Sequence, residues 1–460
     1  SPAYAAWWAT RICDWTGNNP DFANFEIGRD QFAQDWYDWV EKRVAENAPY
    51  DELVAGIVLS RSREEGESYR EFCESMRDVY AKGGDAEFAD RASMPHYWAR
   101  TNFRTAEDRA IGFAYSFLGV RIQCAQCHKH PFDQWTQDDF KNFEAFFTRV
   151  TYGTPRDARE EYDEMLAALE GTEGKKGNQL RNQLGQLLRD GQVVPLREVY
   201  VVGPRNNRNR GNDKTGGRNA PAAAGRVLGG ETIDLDEYAD PREPLMAWLR
   251  SPENPYFARA FVNRVWANYF NVGIVNPPDD LSLANPPSNA PLLDHLADGF
   301  VASGYDMKWL HREITGSDAY QRSWRPNETN ARDETNFSRA VHRRLPAEAA
   351  YDAVVLATAS DARVKELLAD PSQRAIGVPG SGKRYQSRIG RTNATFALGV
   401  FGRNVRESNC DCDRGSESSL LQTVYLQNDG EVLRAIGGGD GTWVGDLRRA
   451  LGGRDETADG

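Results

Sequence analysis

The sequence is short of methionine and histidine, and it has no long apolar run. Five Met and six His occur in 460 residues, so thioether or imidazole ligands for a metal have few candidates. No stretch approaches the roughly eighteen apolar residues that a membrane span needs, and none resembles a signal-peptide core. Positive charge is in deficit: 56 Lys and Arg face 68 Asp and Glu, a net charge of -12. A general nucleic-acid-binding role is disfavoured, because phosphates would be repelled. No nucleophile elbow or metal-ligand helix motif is visible, which leaves a hydrolase reading without support. The chain opens at Ser1 rather than an initiator Met, as a processed or truncated chain would. Its lack of a leader therefore says little about localisation.

Aromatic residues are plentiful, with 12 Trp, 20 Phe and 18 Tyr, and 40% of the chain is hydrophobic. That is ample for real cores, and the length suggests two or three domains. The expected fold is mainly α. A first domain, 1–150, is signalled by Phe32, Trp36, Trp39, Val40 and Val44 at helical spacing. Thr105 with Asp108 forms a capping box ahead of Ile111, Phe113, Ala114, Phe117 and Leu118, in a helix that should end at Gly119. Thr136 with Asp139 opens another, bearing Phe140, Phe143 and Phe147. Residues 151–239 are Gly-rich and carry a basic cluster, Arg205, Arg208 and Arg210. They read as an irregular linker with a short strand around 193–202. The cluster reads as a solvated loop rather than an anion site.

A second helical domain spans 240–436. Phe257, Phe261, Val265, Trp266, Tyr269 and Phe270 mark one helix, and Leu292, Leu293, Leu296 and Phe300 another. Further helices are expected at 307–316, 346–359 and 417–436. Residues 371–405 should be irregular, and 437–460 a weakly ordered tail.

The chemistry sits at residues 124–128, Cys-Ala-Gln-Cys-His. Two thiols separated by two residues have the reach to add across the vinyl groups of a haem. The adjacent His128 can then supply an axial nitrogen to the iron. Alternatives are a zinc site, which would want two further ligands, and a redox dithiol, which would want a βαβ context that is missing. Four other cysteines remain: Cys13, Cys73, Cys410 and Cys412. Cys410 and Cys412 are too close for an unstrained mutual bridge, so each is expected to pair with Cys13 or Cys73, clamping the C-terminal segment onto the first domain. Disulfides and covalent haem both belong to the oxidising side of a membrane, which points to a periplasmic or extracellular protein. Four buried reduced thiols are the alternative.

The stretch from Phe117 to Phe140, FLGVRIQCAQCHKHPFDQWTQDDF, resembles the planctomycete-type cytochrome c domain. The second half is similar to the planctomycete-specific domain that usually follows it. The matching stretches are NPYFARAFVNRVWANYF (254–270), NPPS (285–288), GYDMKWL (304–310), RLPAE (344–348) and RESNCDCDR (406–414). The resemblance covers roughly 1–150 and 240–435. It implies one covalent haem c held by Cys124, Cys127 and His128, and names a cofactor better than a reaction. It also implies that sequence usually precedes the point where this chain begins.

A second axial ligand would be His or Met. Met94-Pro95-His96 carries both types, with His96 the tentative choice, Met94 its alternative and an ordinary packed His the dull reading. His130 is too close to His128 to reach the opposite iron face, so it fits a proton-relay role or a hydrogen-bonded loop. Asp133 could orient His130 or cap the following helix. Trp135 could pack on the porphyrin edge or fill the core. His295 and His311 read as structural, while His311 or His342 could serve as a distal acid–base partner if the iron is open. Two functions follow. The first is an exported mono-haem cytochrome in electron transfer or redox chemistry, with a redox partner protein or an unidentified substrate. The second is an extracellular structural or binding protein in which the haem is mainly architectural.

Overall fold

The computed structural model describes residues 1–24, 26–204, 223–383, 393–410, 414–415 and 419–455. It is mainly helical, and local signals decide many of the helices. Helix α1 (Pro2–Thr16) begins with Pro in its first turn and stops at Gly17, whose φ of 81° suits a residue without Cβ. Helix α2 (Arg29–Glu46) buries Phe32, Trp36, Trp39, Val40 and Val44, the stripe its spacing requires. Helices α3 (Tyr50–Val58) and α4 (Tyr69–Tyr80) follow, the latter opened by a Ser68–Glu71 capping box. Helices α5 (Ala106–Phe113) and α6 (Gln137–Glu144) open on the two expected capping boxes, Thr105–Asp108 and Thr136–Asp139.

The region expected to be an irregular linker is more ordered than its composition suggests. It holds α7 (Arg159–Ala167) and α8 (Gly177–Arg189). Met165, Leu184 and Leu188 from these helices bury a separate small core with Tyr69, Phe72, Cys73 and Met76 of α4. Gly171 and Gly174, at φ 76° and 71°, form the turn between the two helices rather than a general loop. The expected strand shortens to Glu198–Val201. Strand β1 (Val150–Gly153) pairs antiparallel with β2 (Glu198–Val201), Val150 facing Val201. Strands β3 (Ala224–Arg226) and β4 (Thr232–Asp234) form a second hairpin-like pair. Arg205, Arg208 and Arg210 lie outside the described residues.

The second half continues with α9 (Arg242–Arg250), α10 (Phe257–Phe270), α11 (Ala290–Ala302), α12 (Met307–Gly316) and α13 (Ala347–Thr358). Then come α14 (Asp361–Ala369), α15 (Asn393–Val400), α16 (Leu420–Asn428), α17 (Gly430–Ile436) and α18 (Trp443–Asp455). Thus 371–405 includes a helix, and the supposed tail contains α18. The helix expected over 417–436 is interrupted at Asp429, whose carboxylate instead accepts the N–H groups of Glu431 and Val432 and restarts it as α17.

A single buried cluster runs from Ala5 to Phe337, so α1 packs with helices from the far half of the chain. Trp15 meets Phe261 edge-on at 6.0 Å, Tyr50 stacks on Phe261 at 3.8 Å, and Phe261 stacks on Phe300 at 5.3 Å. No described helix is long and apolar enough to cross a membrane.

The expected clamp of the C-terminal segment onto the N-terminal domain exists, but it is ionic. Cys13 and Cys73 are free thiols buried in two different cores, so neither is bridged to Cys410; Cys412 lies outside the described residues. The Asp14 carboxylate takes over that role. It is wholly buried and receives Arg406 at 2.8 Å, Arg414 at 2.6 Å and Arg11 at 3.2 Å. Glu348 on α13 receives Arg414 at 2.9 Å and Arg403 at 3.2 Å. Burial alone would raise the Asp14 carboxyl; Arg414, Arg406 and Arg11 instead hold it well below its ordinary range. Asp14→Asn should cost about 3–5 kcal/mol in urea unfolding, because it leaves buried guanidinium groups uncompensated. A loss no larger than that of an exposed pair, about 1 kcal/mol or less, would contradict this role.

Candidate cofactor attachment site

The segment that carries the two thiols is fixed at both ends before the cysteines begin. Helix α5 runs into a widened turn, Ala114–Leu118, closed by Gly119 at φ 62°. A widened turn misdirects backbone carbonyls, and here Arg264 of α10 collects them. Its guanidinium donates to the carbonyls of Tyr115 and Ser116, each at 2.5 Å, and to Asp279 at 2.5 Å. Gly119 lies so close to α10 and the loop after it that a Cβ there would sit 3.3 Å from Ala260 and 3.4 Å from Leu281. Leu281 N–H also donates to the Gly119 carbonyl at 2.8 Å. Val120 and Ile122 then bury their side chains and anchor the approach.

Gln123–Gln126 forms a 3-10 turn pinned by the buried Ala125. That turn leaves Cys124 partly exposed and Cys127 exposed, both as free thiols. The Gln126 carbonyl accepts from the Gln137 side chain of α6 at 2.9 Å. His128 is exposed, and its Nδ1 lies 2.7 Å from the carbonyl of Lys129. A carbonyl only accepts, so Nδ1 is the donor of this contact, and in the neutral ring that leaves the lone pair on Nε2. This is the tautomer a metal-ligating imidazole needs, with the second nitrogen oriented by a backbone acceptor.

The following loop is a closed turn. His130 N–H donates to the Trp135 carbonyl at 2.7 Å, and the Phe132 N–H donates to His130 Nδ1 at 3.2 Å. His130 is therefore a buried, hydrogen-bonded loop residue. Asp133 accepts from the Gln134 N–H at 2.7 Å; Thr136, rather than Asp133, caps α6. Trp135 is buried and meets Tyr256 edge-on at 6.3 Å, so it joins the loop to the start of α10. Burial first, and then the Asp133 charge, raise the Tyr256 hydroxyl. Phe132, five residues after Cys127, stands out as an apolar ring at 67% exposure.

The tentative distal ligands are held elsewhere. His96 is fully buried, with Nε2 3.1 Å from Asp35 of α2, and its ring lies against Phe32 at 4.7 Å and Phe88 at 4.5 Å. Met94 is buried in the main core, its N–H donating to the Gly56 carbonyl. These contacts come from α2, α3 and the turn at 88–90, so the structure does not bring either residue together with His128. His311 packs against Trp8 at 4.3 Å and shares a hydrogen bond with Tyr269 at 3.2 Å, a core setting. His295 is exposed on α11, and His342 is exposed beside Trp324. Among the described residues no three His, Cys, Asp or Glu side chains converge as a metal-holding group, so the zinc reading finds no ligand set.

Residues 1–152 match the PSCyt2 family model and residues 241–439 the PSD1 model, each described as a protein of unknown function (DUF1549 and DUF1553). The chain carries a PSCyt2 domain followed by a PSD1 domain. PSCyt2 is a planctomycete cytochrome-like domain whose function is unknown. Comparison with curated proteins and with solved structures finds no match. The Cys-Ala-Gln-Cys-His motif lies inside the PSCyt2 match, and the residues that brace it, Arg264, Asp279 and Leu281, lie inside the PSD1 match. Sequence reasoning missed all three, because no local pattern ties an arginine on one helix to carbonyls about 150 residues earlier.

Two outcomes test this description. Burial pushes the Cys13 thiol up to about 11 and Cys73 up to about 12, so neither is reactive near neutral pH. Iodoacetamide should leave both unlabelled in native protein and label both in denaturant without reductant; a bridged peptide containing either would contradict the assignment. The second outcome concerns His311, whose burial lowers its pKa from 6.5 to about 4. The unfolded state therefore binds more protons between those values, and stability should fall as pH drops through that window, by up to about 1.4 kcal/mol per pH unit. His311→Gln should flatten this slope in urea titrations; an unchanged slope would assign it to other groups.

Proposed function

We propose that this PSCyt2–PSD1 chain is an exported mono-haem c-type cytochrome acting in electron transfer or haem-based redox chemistry. One observation carries the reading: exposed His128, its Nδ1 held by the Lys129 carbonyl, follows two accessible free thiols in the order Cys124, Cys127, His128. The donor set fits the group. Cys124 and Cys127 would hold haem c through thioether bonds, and His128 Nε2 would ligate the iron. Bound haem iron supplies reversible one-electron transfer, with its potential set by axial ligand and surroundings. The protein's part is positional. The 3-10 turn leaves both thiols accessible, the Lys129 carbonyl orients the imidazole through Nδ1, and an exposed apolar ring, Phe132, follows in the same loop. Export follows from the chemistry, since thioether-bound haem belongs to the oxidising side of a membrane. The partner is a redox protein or a substrate not yet identified.

The architectural alternative has support of its own, because the motif is braced by Arg264, Leu281 and Tyr256 across the PSCyt2–PSD1 junction. The two readings part on one spectrum. Denatured protein should carry one haem that survives acid-acetone extraction, and Cys124→Ala or Cys127→Ala should weaken its retention. Because His96 is engaged by Asp35, His96→Ala should leave the spin state unchanged, and reduced protein should bind carbon monoxide. Purified protein with zinc and no haem absorbance would defeat the proposal. Haem that cannot be reduced, in a protein that unfolds when the thiols are removed, would favour the architectural reading.

A further inference from the structure

A cavity of about 400 Å³ opens where the PSCyt2 and PSD1 domains meet, and its wall is unusually cationic for an acidic chain. Arg121, three residues ahead of Cys124, lines it together with Arg343 and Arg344 from the segment before α13. None of these three has a carboxylate partner among the described residues. Arg121 Nε is buried without a hydrogen-bond partner. Arg343 donates to the Asn268 carbonyl and Arg344 to the Gln422 side-chain carbonyl at 2.5 Å, both neutral acceptors. Asp279, the one acidic residue on the wall among those described, is already engaged by the buried Arg264. The nearby carboxylates Asp14 and Glu348 are taken up by Arg406, Arg403 and Arg414. Burial, and the neighbouring Arg11, lower the pKa of Arg343, as expected of cations crowded together.

Arg121 carries a guanidinium nitrogen withdrawn from water without a counter-charge, Arg343 and Arg344 stand exposed at the mouth of the cavity, and the fork of donors on each suits oxyanions specifically. The side-chain amides of Asn271 and Asn276 on the same wall add neutral donors. Pro277, Pro278 and Leu345 supply an apolar flank, so the cavity suits an organic body as well as its charge. We propose that this junction cavity binds a multiply charged oxyanion ligand, one bearing phosphate, sulfate or carboxylate groups, through Arg121, Arg343 and Arg344. The site is independent of the haem reading, since its residues are neither thiols nor axial ligands. It also spans both domains, so an occupant would tie the PSD1 domain to the strand of chain that leads into the attachment motif.

The test uses the full chain and four probes: inorganic sulfate, inorganic phosphate, pyrophosphate and citrate, titrated against chloride at matched ionic strength. At least one should bind saturably and raise the thermal midpoint, and the pattern among the four identifies the anion class. Arg343→Gln combined with Arg344→Gln should weaken that binding at least about tenfold. Arg312→Gln, on the exposed face of α12, should leave it unchanged. Should the double variant fail to fold, arginine-selective labelling of the native chain by phenylglyoxal provides the second measurement. The bound probe should protect Arg121, Arg343 and Arg344 but not Arg312. No saturable binding by any probe, equal weakening by Arg312→Gln, or absence of protection would overturn the proposal. Binding seen only in a haem-free Cys124→Ala/Cys127→Ala chain would also overturn it, because the haem's own propionates would then be the occupants.

Discussion

The architecture depends on one buried carboxylate. Asp14 sits near the end of the first helix and holds Arg406 and Arg414, side chains 392 and 400 residues away. Arg406 is the pivot of the C-terminal segment. Its backbone lies at φ 57°, a conformation that costs a non-glycine residue of order 1 kcal/mol or more. It is held there because its N–H donates to Asn404 at 2.7 Å and its guanidinium donates to Asp14, Asn18 and Pro379. Such a network contributes little net stability relative to a well-packed apolar substitute. What it contributes is a specific pairing of the C-terminal segment with α1, in which Asp14 and Glu348 share four arginines. The C-terminal segment can therefore find one docking site on α1 without a covalent bridge to it.

Cysteine spacing leads to the right closure by the wrong chemistry. The motif from Arg406 to Arg414 predicts a clamp onto the N-terminal domain through Cys410 and Cys412. The clamp is there, but the arginines and Asn409 make it, while Cys13 and Cys73 stay reduced. An even cysteine count suggests bridges; the burial of Cys13 and Cys73 in separate cores cannot be read from spacing. Capping boxes at Thr105 and Thr136 are legible because their chemistry is complete within four residues. The helices α7 and α8 are not, because glycine-rich composition hides a leucine face whose partner, α4, lies about a hundred residues earlier.

The same division applies to the candidate site. Cys124, Cys127 and His128 form a contiguous motif, so the sequence names them directly. His96 and Met94 are the right ligand types in the right domain, yet a distal ligand is defined by position in space. Asp35, Phe32 and Phe88 claim His96 for the core. The arginines of the junction cavity are the extreme case. Arg121 is separated from the adjacent pair Arg343 and Arg344 by more than two hundred residues, and no local pattern ties the two places together. The basic cluster that does stand out in the sequence, Arg205 to Arg210, lies outside the described residues.

The junction gives the Cys-Ala-Gln-Cys-His motif its mechanical setting. A widened turn at Ala114–Leu118 leaves carbonyls that α5 cannot satisfy itself, and Arg264 satisfies them from α10. Arg264 is in turn buried against Asp279, so the turn, the arginine and the loop after α10 share one buried polar network. Gly119 allows the closest approach at that point, and the thiols follow only five and eight residues later. The geometry of the PSCyt2 motif is thus imposed by the PSD1 domain as much as by its own helices. An isolated fragment ending at 152 would leave those carbonyls buried without donors, or exposed to water with the turn relaxed. The two domains are therefore one structural unit at this site, whatever partner the chain serves.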